Sequence, residues 1–441
     1  MPYRTPLPPS LRHGYGVAGL SFSIIDTSVR IFLFKFLVDD AQLAPVTAGT
    51  VLLIGKIWDA INDPLVGRLS DRTKTRMGAR RPWIAGGLAP LLVCFAALWS
   101  DLPWSGVWRA GGYAVLLLLF DTFLTTLGVP YNALSQSLTA SYDERTRLNA
   151  IRVGWGMIGA LLAGAGMPFL AERTGSWAQA GAAFTVLVAV PLLIMLRVTR
   201  GYDVATATYS EEPVWSTLHN RAFRRVVCLS VTSWPCLAVA SALLPFYCQH
   251  HLGHPERMKL YLGTAQLSAL LLVPLLVRLS RRLDKHRMYA VGLCGWLLAF
   301  VVLSLMPRDA HIGVIAAMAL AGPSMMAAYI FVLSLVPDVA EAEQAEGNAN
   351  RVGAYYGVIN FLTKLGTSLA LWLFSLALET SGYVEAAQQQ PESARVTLLI
   401  ILGPVLGTIL CASLLFAWWF PPITRAAHSR IIERLHGSSA S

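Results

Sequence analysis

The chain has 441 residues, 55% of them hydrophobic and only 14% charged, with mean hydropathy +0.54 and a formal net charge of +10. A soluble domain carries about 25% charged residues, so the composition excludes an ordinary soluble globule and points to a membrane chain. The basic excess falls mostly in short loops between apolar runs, where it reports topology rather than a nucleic-acid surface.

The first apolar run, about Gly14 to Val38, is too long for the core of a signal peptide and reads as span 1. At mid-depth it carries Asp26 and Arg30, an i, i+4 pair that is either self-satisfied or turned toward a polar solute. Span 2 runs from about Val46 to Gly67 and contains KIWDAINDP, Lys56 to Pro64. Asp59 lies eight residues before the end of that run, which is about 12 Å at the helical rise and near the midplane of a ~30 Å core. Asp63 follows at i+4 on the same face, Asn62 lies beside both, and Lys56 stands one turn before Asp59. A carboxylate there costs about 2.5–3.5 kcal/mol on insertion scales, so two of them need a wet or protein-lined cavity and an offsetting charge. Two carboxylates and an amide oxygen are hard ligands that suit Na⁺ at Asp59 and Asp63, and the same carboxylates can carry H⁺. A salt-bridge network with Lys56 is the purely structural alternative.

The loop after span 2 holds Arg68, Asp71, Arg72, Lys74, Arg76, Arg80 and Arg81. In span 4, Asp121 and Thr125 lie one turn apart, followed by Gly128 and Pro130; such a threonine often bonds only its own helix. Arg145 and Arg147 come next, and span 5 carries Gly154, Gly156, Gly159, Gly164 and Gly166, read as close helix packing. The longest polar connection, residues 200–221, splits the chain into a first bundle (1–199), a second bundle (222–422) and a tail (423–441). His250, His251 and His254 read as a solvated loop after span 7. Arg278, Arg281, Arg282, Lys285 and Arg287 follow span 8, the place the other basic loop holds in the first half, so the halves look repeated. Span 11, about Gly353 to Ala377, has Lys364 near its middle, too deep to snorkel and in need of a partner; the span 2 aspartates are the obvious one. Six scattered cysteines form no CxxC pair and indicate neither a zinc site nor a disulfide framework.

These elements predict an all-α integral membrane protein: about twelve transmembrane helices in two six-helix bundles, a multi-pass chain of a bacterial-type inner membrane or plasma membrane. Arginine and lysine place the basic loops, the middle connection and both termini on the cytoplasmic side.

The stretch WDAINDPLVGRLSDRTKTRMGARRPWI, Trp58 to Ile84, resembles the signature of the glycoside–pentoside–hexuronide:cation symporters, melibiose-permease-like members of the major facilitator superfamily. LVPDVAEAEQAEGNANRVGAYYG (Leu335 to Gly357), NFLTKLG (Asn360 to Gly366) and GYG (Gly14 to Gly16) are similar to further stretches of that family. The resemblance implies the major facilitator fold with alternating access. It implies a cation site at Asp59, Asn62, Asp63 and Thr125 near Lys364, and a functional arginine at Arg152. The basic loop with Asp71, Arg72 and Arg76 also resembles the superfamily's gating loop, topology alone being the alternative; Asp338, Glu341, Glu343 and Glu346 supply opposite charge on the same side and either pair with it or form a solvated face.

Two departures bear on the substrate. The acidic residue that sugar-transporting members carry in span 1 falls at Ser23 here. Their Asp-Ile-Pro-aromatic-Trp pattern in span 4 is Gly128-Val129-Pro130-Tyr131-Asn132. Without those clamps the reading leans to the family's sodium-dependent lysophosphatidylcholine symporters. Asp26, Arg30 and Arg152 would then meet a zwitterionic headgroup; a glycoside held by a non-standard set of residues is the alternative. The expected partners are a small-molecule or lysolipid substrate and the lipid bilayer, with no nucleic acid, a monomeric state, and no cofactor beyond Na⁺ or H⁺ as coupling ion. Two rivals are an intramembrane Mg²⁺-dependent transferase, suggested by NDPLVGRLSD but lacking a second carboxylate cluster, and a transporter-derived sensor without flux.

Overall fold

The computed structural model describes residues 7–139, 142–202, 214–279, 284–308, 310–345, 352–385, 387 and 389–421. The described residues hold no strand beyond an isolated bridge between Thr75 and Gly78. In chain order the helices are α1 (Pro9–Leu33), α2 (Pro45–Arg72), α3 (Arg81–Ala97), α4 (Gly106–Ser135), α5 (Arg147–Thr174) and α6 (Trp177–Val198). They continue as α7 (Arg221–His251), α8 (Met258–Leu279), α9 (Lys285–Leu305), α10 (His311–Val339), α11 (Ala354–Thr380) and α12 (Glu392–Trp419). Among the described residues nine of them, all but α2, α3 and α8, are long and apolar enough to cross a membrane. The helix of α3 has 17 residues, short for a ~30 Å core. That of α2 has 28, but Lys56, Asp59, Asn62 and Asp63 lower its hydropathy.

The chain forms two compact units. The first holds α1 to α6 with two short later segments, Glu256–Lys259 and Tyr383–Gln389; the second holds the rest of α7 to α12. In the first unit α1 packs along α5 and α6, and α3 along α4 and α6. In the second, α7 packs along α11 and α12, and α9 along α10 and α12. These four pairings correspond between the units, so the repeat that the basic loops suggest extends in part to the packing within each unit. Both first helices also loosen into π turns at the same end: Val29–Leu33 and then Phe36–Asp40 beyond α1, Tyr247–His251 in α7. Such turns interrupt the i→i+4 ladder and occur often at functional sites.

Each unit has its own packing logic. Around Phe36 in the first, Trp99, Tyr113 and Trp177 interlock, with Trp99 and Trp177 stacked at 5.7 Å. In the second, Phe223 and Val226 of α7 meet Val336 and Val339 of α10 and Tyr355 and Ile359 of α11 in a fully buried core. Asn220 starts α7 by accepting from the amides of Ala222 and Phe223 at 2.9 and 3.2 Å. The same side chain donates to the Tyr355 hydroxyl at 3.3 Å, and that hydroxyl donates to Glu343 at the end of the helix extending α10.

Two sequence readings change. His250 and His251 are not on a solvated loop: α7 continues through both, each is 8% exposed, and His251 Nε2 lies 3.0 Å from the Met306 carbonyl. The span 5 glycines also divide. A Cβ on Gly159 would stand 2.3 Å from the Leu20 carbonyl oxygen, and one on Gly19 of α1 would stand 2.3 Å from that of Arg152, so α1 and α5 touch backbone to backbone. Gly154 has open space around it. Gly159→Ala is therefore expected to lower the thermal midpoint of the detergent-solubilised protein, at a cost of about 1–3 kcal/mol for overpacking. Gly154→Ala should be neutral or stabilising by up to about 1 kcal/mol through helix propensity. Equal midpoints for the two variants would remove the close-contact reading.

Candidate functional site

The polar stretch of α2 lies against α4. On α2, Lys56, Asp59 and Asp63 recur at i, i+3 and i+7; on α4, Asp121, Thr122 and Thr125 recur at i, i+1 and i+4. Those spacings give each helix one polar stripe. The stripes meet. The Thr125 hydroxyl lies 3.0 Å from Asp59 Oδ1 and 3.0 Å from Asp63 Oδ1. Lys56 Nζ donates to Asp121 Oδ1 at 3.3 Å and lies 3.7 Å from Asp59 Oδ2. Trp58 Nε1 donates to the Thr122 hydroxyl at 2.8 Å, and that hydroxyl donates back to the Leu118 carbonyl. Asp59, Asn62, Asp121 and Thr125 are all buried, and Lys56 is half-buried.

The proton inventory of this cluster is informative. Thr125 has one hydroxyl hydrogen and two carboxylates at equal distance, so it can donate fully to only one of them. With both acids ionised, a proton or a cation with oxygen ligands between them would offset their mutual repulsion. Asn62 supports the second possibility. Its Nδ2 is buried without a hydrogen-bond partner, and a half-turn of the amide would present Oδ1 in its place. The residues present are therefore a fitting set for a small hard cation: two carboxylates, a hydroxyl and an amide.

A second group joins α1, α4 and α5. Tyr131 stacks on Tyr15 at 4.7 Å and on Phe22 at 5.0 Å. The Arg152 guanidinium carbon lies 5.7 Å from the Tyr131 ring centre, and Arg152 Nη1 donates to Asn132 Oδ1 at 2.5 Å. A Cβ on Gly128 would lie 3.7 Å from Phe22, and one on Gly156 would lie 2.7 Å from the Ser23 hydroxyl. The structure thus brings together Arg152, Asn132, Gly128 and Ser23 around an aromatic stack. Asp26 and Arg30 form their own ion pair at 3.3 Å, with the Asp26 side chain 69% exposed.

The other expected residues lie elsewhere. Lys364 stands in α11 of the second unit, where its carbonyl accepts from Ser368 at 2.7 Å. Arg72 and Arg76 are exposed, and the side chains of Asp71 and Glu341 lie outside the described residues. Asp338 faces Lys285 of its own unit, with both oxygens 2.7 Å from Nζ, which also donates to the Ser334 carbonyl. From the basic loop, Arg81 turns inward and donates to the Leu196 carbonyl at 2.6 Å, tying α3 to the end of α6. The residue that sequence reasoning left out of the site is Asp121. Its signal was present, a mid-span carboxylate one turn from Thr125, but only the packing of α4 on α2 shows that it meets Lys56.

A family model described as MFS/sugar transport protein matches residues 14–425. The chain is 27% identical to an uncharacterized symporter of Synechocystis sp., over 96% of this chain and 95% of that protein. It is 25% identical to the sodium-dependent lysophosphatidylcholine symporter 1 of Gallus gallus, over 91% of this chain and 84% of that protein. Among solved structures, the nucleoside transporter NupG superposes with a TM-score of 0.66 at 12% identity, covering 93% of this chain and 99% of that one. That likeness gives the fold, which is of the major facilitator type.

If Thr125 bridges the two acids, its removal costs stability without disturbing shape. Thr125→Val, which keeps the volume and deletes the hydroxyl, is expected to destabilise the detergent-solubilised protein by about 1.5–3 kcal/mol, the range for hydrogen bonds to charged groups. Thr125→Ser should keep most of that stability. A valine variant that melts with the serine variant would show that the hydroxyl carries no part of the cluster.

Proposed function

This chain belongs to the MFS/sugar transport protein family, a family of multi-pass membrane transporters, and from that premise we propose that it is a secondary active, Na⁺- or H⁺-coupled symporter. The observation that carries the reading is the Thr125 hydroxyl shared between Asp59 and Asp63. In a low-dielectric span two adjacent carboxylates are costly until positive charge enters between them. Cation entry at Asp59, Asn62, Asp63 and Thr125 relieves that cost and favours the state in which the solute also binds. Lys364, the deep cation of α11, is the proposed coupling charge in the second unit, with Lys56 its counterpart beside the site. One cation crossing a potential of 100 mV releases about 2.3 kcal/mol, enough for roughly fifty-fold accumulation.

The substrate we favour is a lysophospholipid-like amphiphile. Three observations support it: the relatives that carry that name, the absence of carboxylates at Ser23 and Gly128, and the Arg152 guanidinium beside Tyr131 and Asn132. Arg152 has the charge and donors for a phosphate group, and the apolar spans suit an acyl tail. The family description keeps a glycoside as the second reading. Gating is assigned to Asp71, Arg72 and Arg76, with Asp338 and Glu341 as the corresponding acids of the second half. Termini on the cytoplasmic side and a monomer complete the proposal.

Uptake into proteoliposomes tests both levels. An inward Na⁺ or H⁺ gradient is expected to drive accumulation of lysophosphatidylcholine, and Asp59→Asn or Asp63→Asn should abolish the gradient-driven part while the protein still purifies folded. Full gradient-stimulated uptake in both variants would remove the cation site. Accumulation of a glycoside with no response to lysolipid would overturn the lipid reading and leave the symporter reading standing.

A further inference from the structure

We propose that Asp121 is a positioning residue for cation coupling: it holds the Lys56 ammonium at the edge of the α2–α4 cluster, so that Asp59 and Asp63 keep their negative charge for the ion. The inference rests on the cation reading above, in its Na⁺ form, and deepens it.

Lys56 stands between two acids. Its Nζ lies 3.3 Å from Asp121 Oδ1 and 3.7 Å from Asp59 Oδ2. Asp59 uses its other oxygen, Oδ1, toward Thr125. Asp59 is therefore contested between a lysine on one side and the shared hydroxyl on the other, and Asp121 decides how much of the lysine it receives. Asp121 is wholly buried, and it sits one turn from Thr125 on α4. One helix face thus supplies both the hydroxyl that joins the acid pair and the counterion that restrains its competitor.

The charge balance makes the consequence specific. Lys56 and Asp121 cancel, which leaves Asp59 and Asp63 as the net negative pair for one monovalent ion. If Asp121 loses its charge, Asp59 is the remaining carboxylate within ion-pair distance of Lys56. The ammonium is a compact charge on a flexible stem and can close on Asp59 without moving either helix. It then neutralises an ion ligand and competes directly with Na⁺. A residue that only knits α2 to α4 would lower stability and leave Na⁺ affinity unchanged.

The test is thermal unfolding of the purified full chain in detergent, with NaCl titrated against choline chloride at constant ionic strength. A ligand that binds the folded state stabilises it by RT ln(1 + [L]/Kd), so the rise of the midpoint with NaCl yields the Kd, the half-saturating Na⁺ concentration. Wild type, Asp121→Asn, Lys56→Met, the double variant and Asp121→Glu are compared. Asp121→Asn is expected to raise the half-saturating Na⁺ concentration about tenfold, a coupling within the range for contacting residues. Asp121→Glu should keep the wild-type value. The double variant should return to within about threefold of wild type, because without the lysine there is nothing to restrain. An unchanged half-saturation in Asp121→Asn, or a double variant no better than Asp121→Asn, overturns the proposal. If Asp121→Asn does not fold, Lys56→Met alone decides: Na⁺ binding as tight as wild type or tighter supports the proposal, and a tenfold weakening overturns it. A wild-type protein that NaCl does not stabilise brings down the Na⁺ reading itself. A wild type that responds while Asp121→Asn matches it brings down only the role of Asp121.

Discussion

Three carboxylates, two of them fully buried, and one half-buried ammonium between two helices set the terms for the rest of the first unit. At an effective dielectric of about 20, unit charges 4 Å apart interact by about 4 kcal/mol, and removing one member of a buried pair costs about 3–5 kcal/mol. Such energies are comparable to the whole stability of a typical domain. The lateral register of α2 on α4 is therefore pinned by Lys56 on Asp121, Trp58 on Thr122, and Thr125 on both Asp59 and Asp63. A slide of one turn in either direction would break these four contacts. The apolar contacts around them add packing but no register, since leucine meets leucine equally well at several offsets.

The same constraint gives α4 a second task. Its Asp121, Thr122 and Thr125 serve α2, while Gly128, Tyr131 and Asn132, one to two turns along, serve α1 and α5. The two clusters thus share one helix. Where α1 meets α5, backbone contact at Gly19 and Gly159 leaves no slack, so a shift of α4 on α2 is felt at Tyr131 and Arg152 rather than absorbed. Within this unit, one helix joins the two clusters, with a polar stripe at one end and an aromatic–guanidinium group at the other.

The sequence made the membrane class and the cation residues legible because both are violations. Long uncharged runs violate soluble composition, and Asp59 and Asp63 violate the apolar rule within such a run. Thr125 came from the resemblance, since a threonine in a span is chemically ordinary until its neighbour is known. Asp121 looked equally ordinary for a different reason: a one-dimensional reading sees the i, i+4 step to Thr125 but not the lysine on the facing helix. His250 and His251 were misplaced because polar residues after an apolar run resemble a loop. The π turn of α7 and the Met306 carbonyl that accommodate them leave no local signature. The basic loop was read as topology and gating charge, yet Arg81 spends its guanidinium on a helix-end carbonyl. Position relative to a helix terminus, not composition, decided that.

The two units share four helix pairings but not the same chemistry. In the second half the residue deep inside a span that carries charge is Lys364; Asp338 lies near the end of α10 and is matched by Lys285. This divergence has a physical reason. The insertion cost of buried acids rises with each one added, whereas a single monovalent ion can offset only one surplus charge. A repeated carboxylate pair would double the cost and require a second ion to relieve it. Under the proposed cation reading, ion binding would change the charge of the first unit only, an asymmetry by which the ion would bias the state of the transporter.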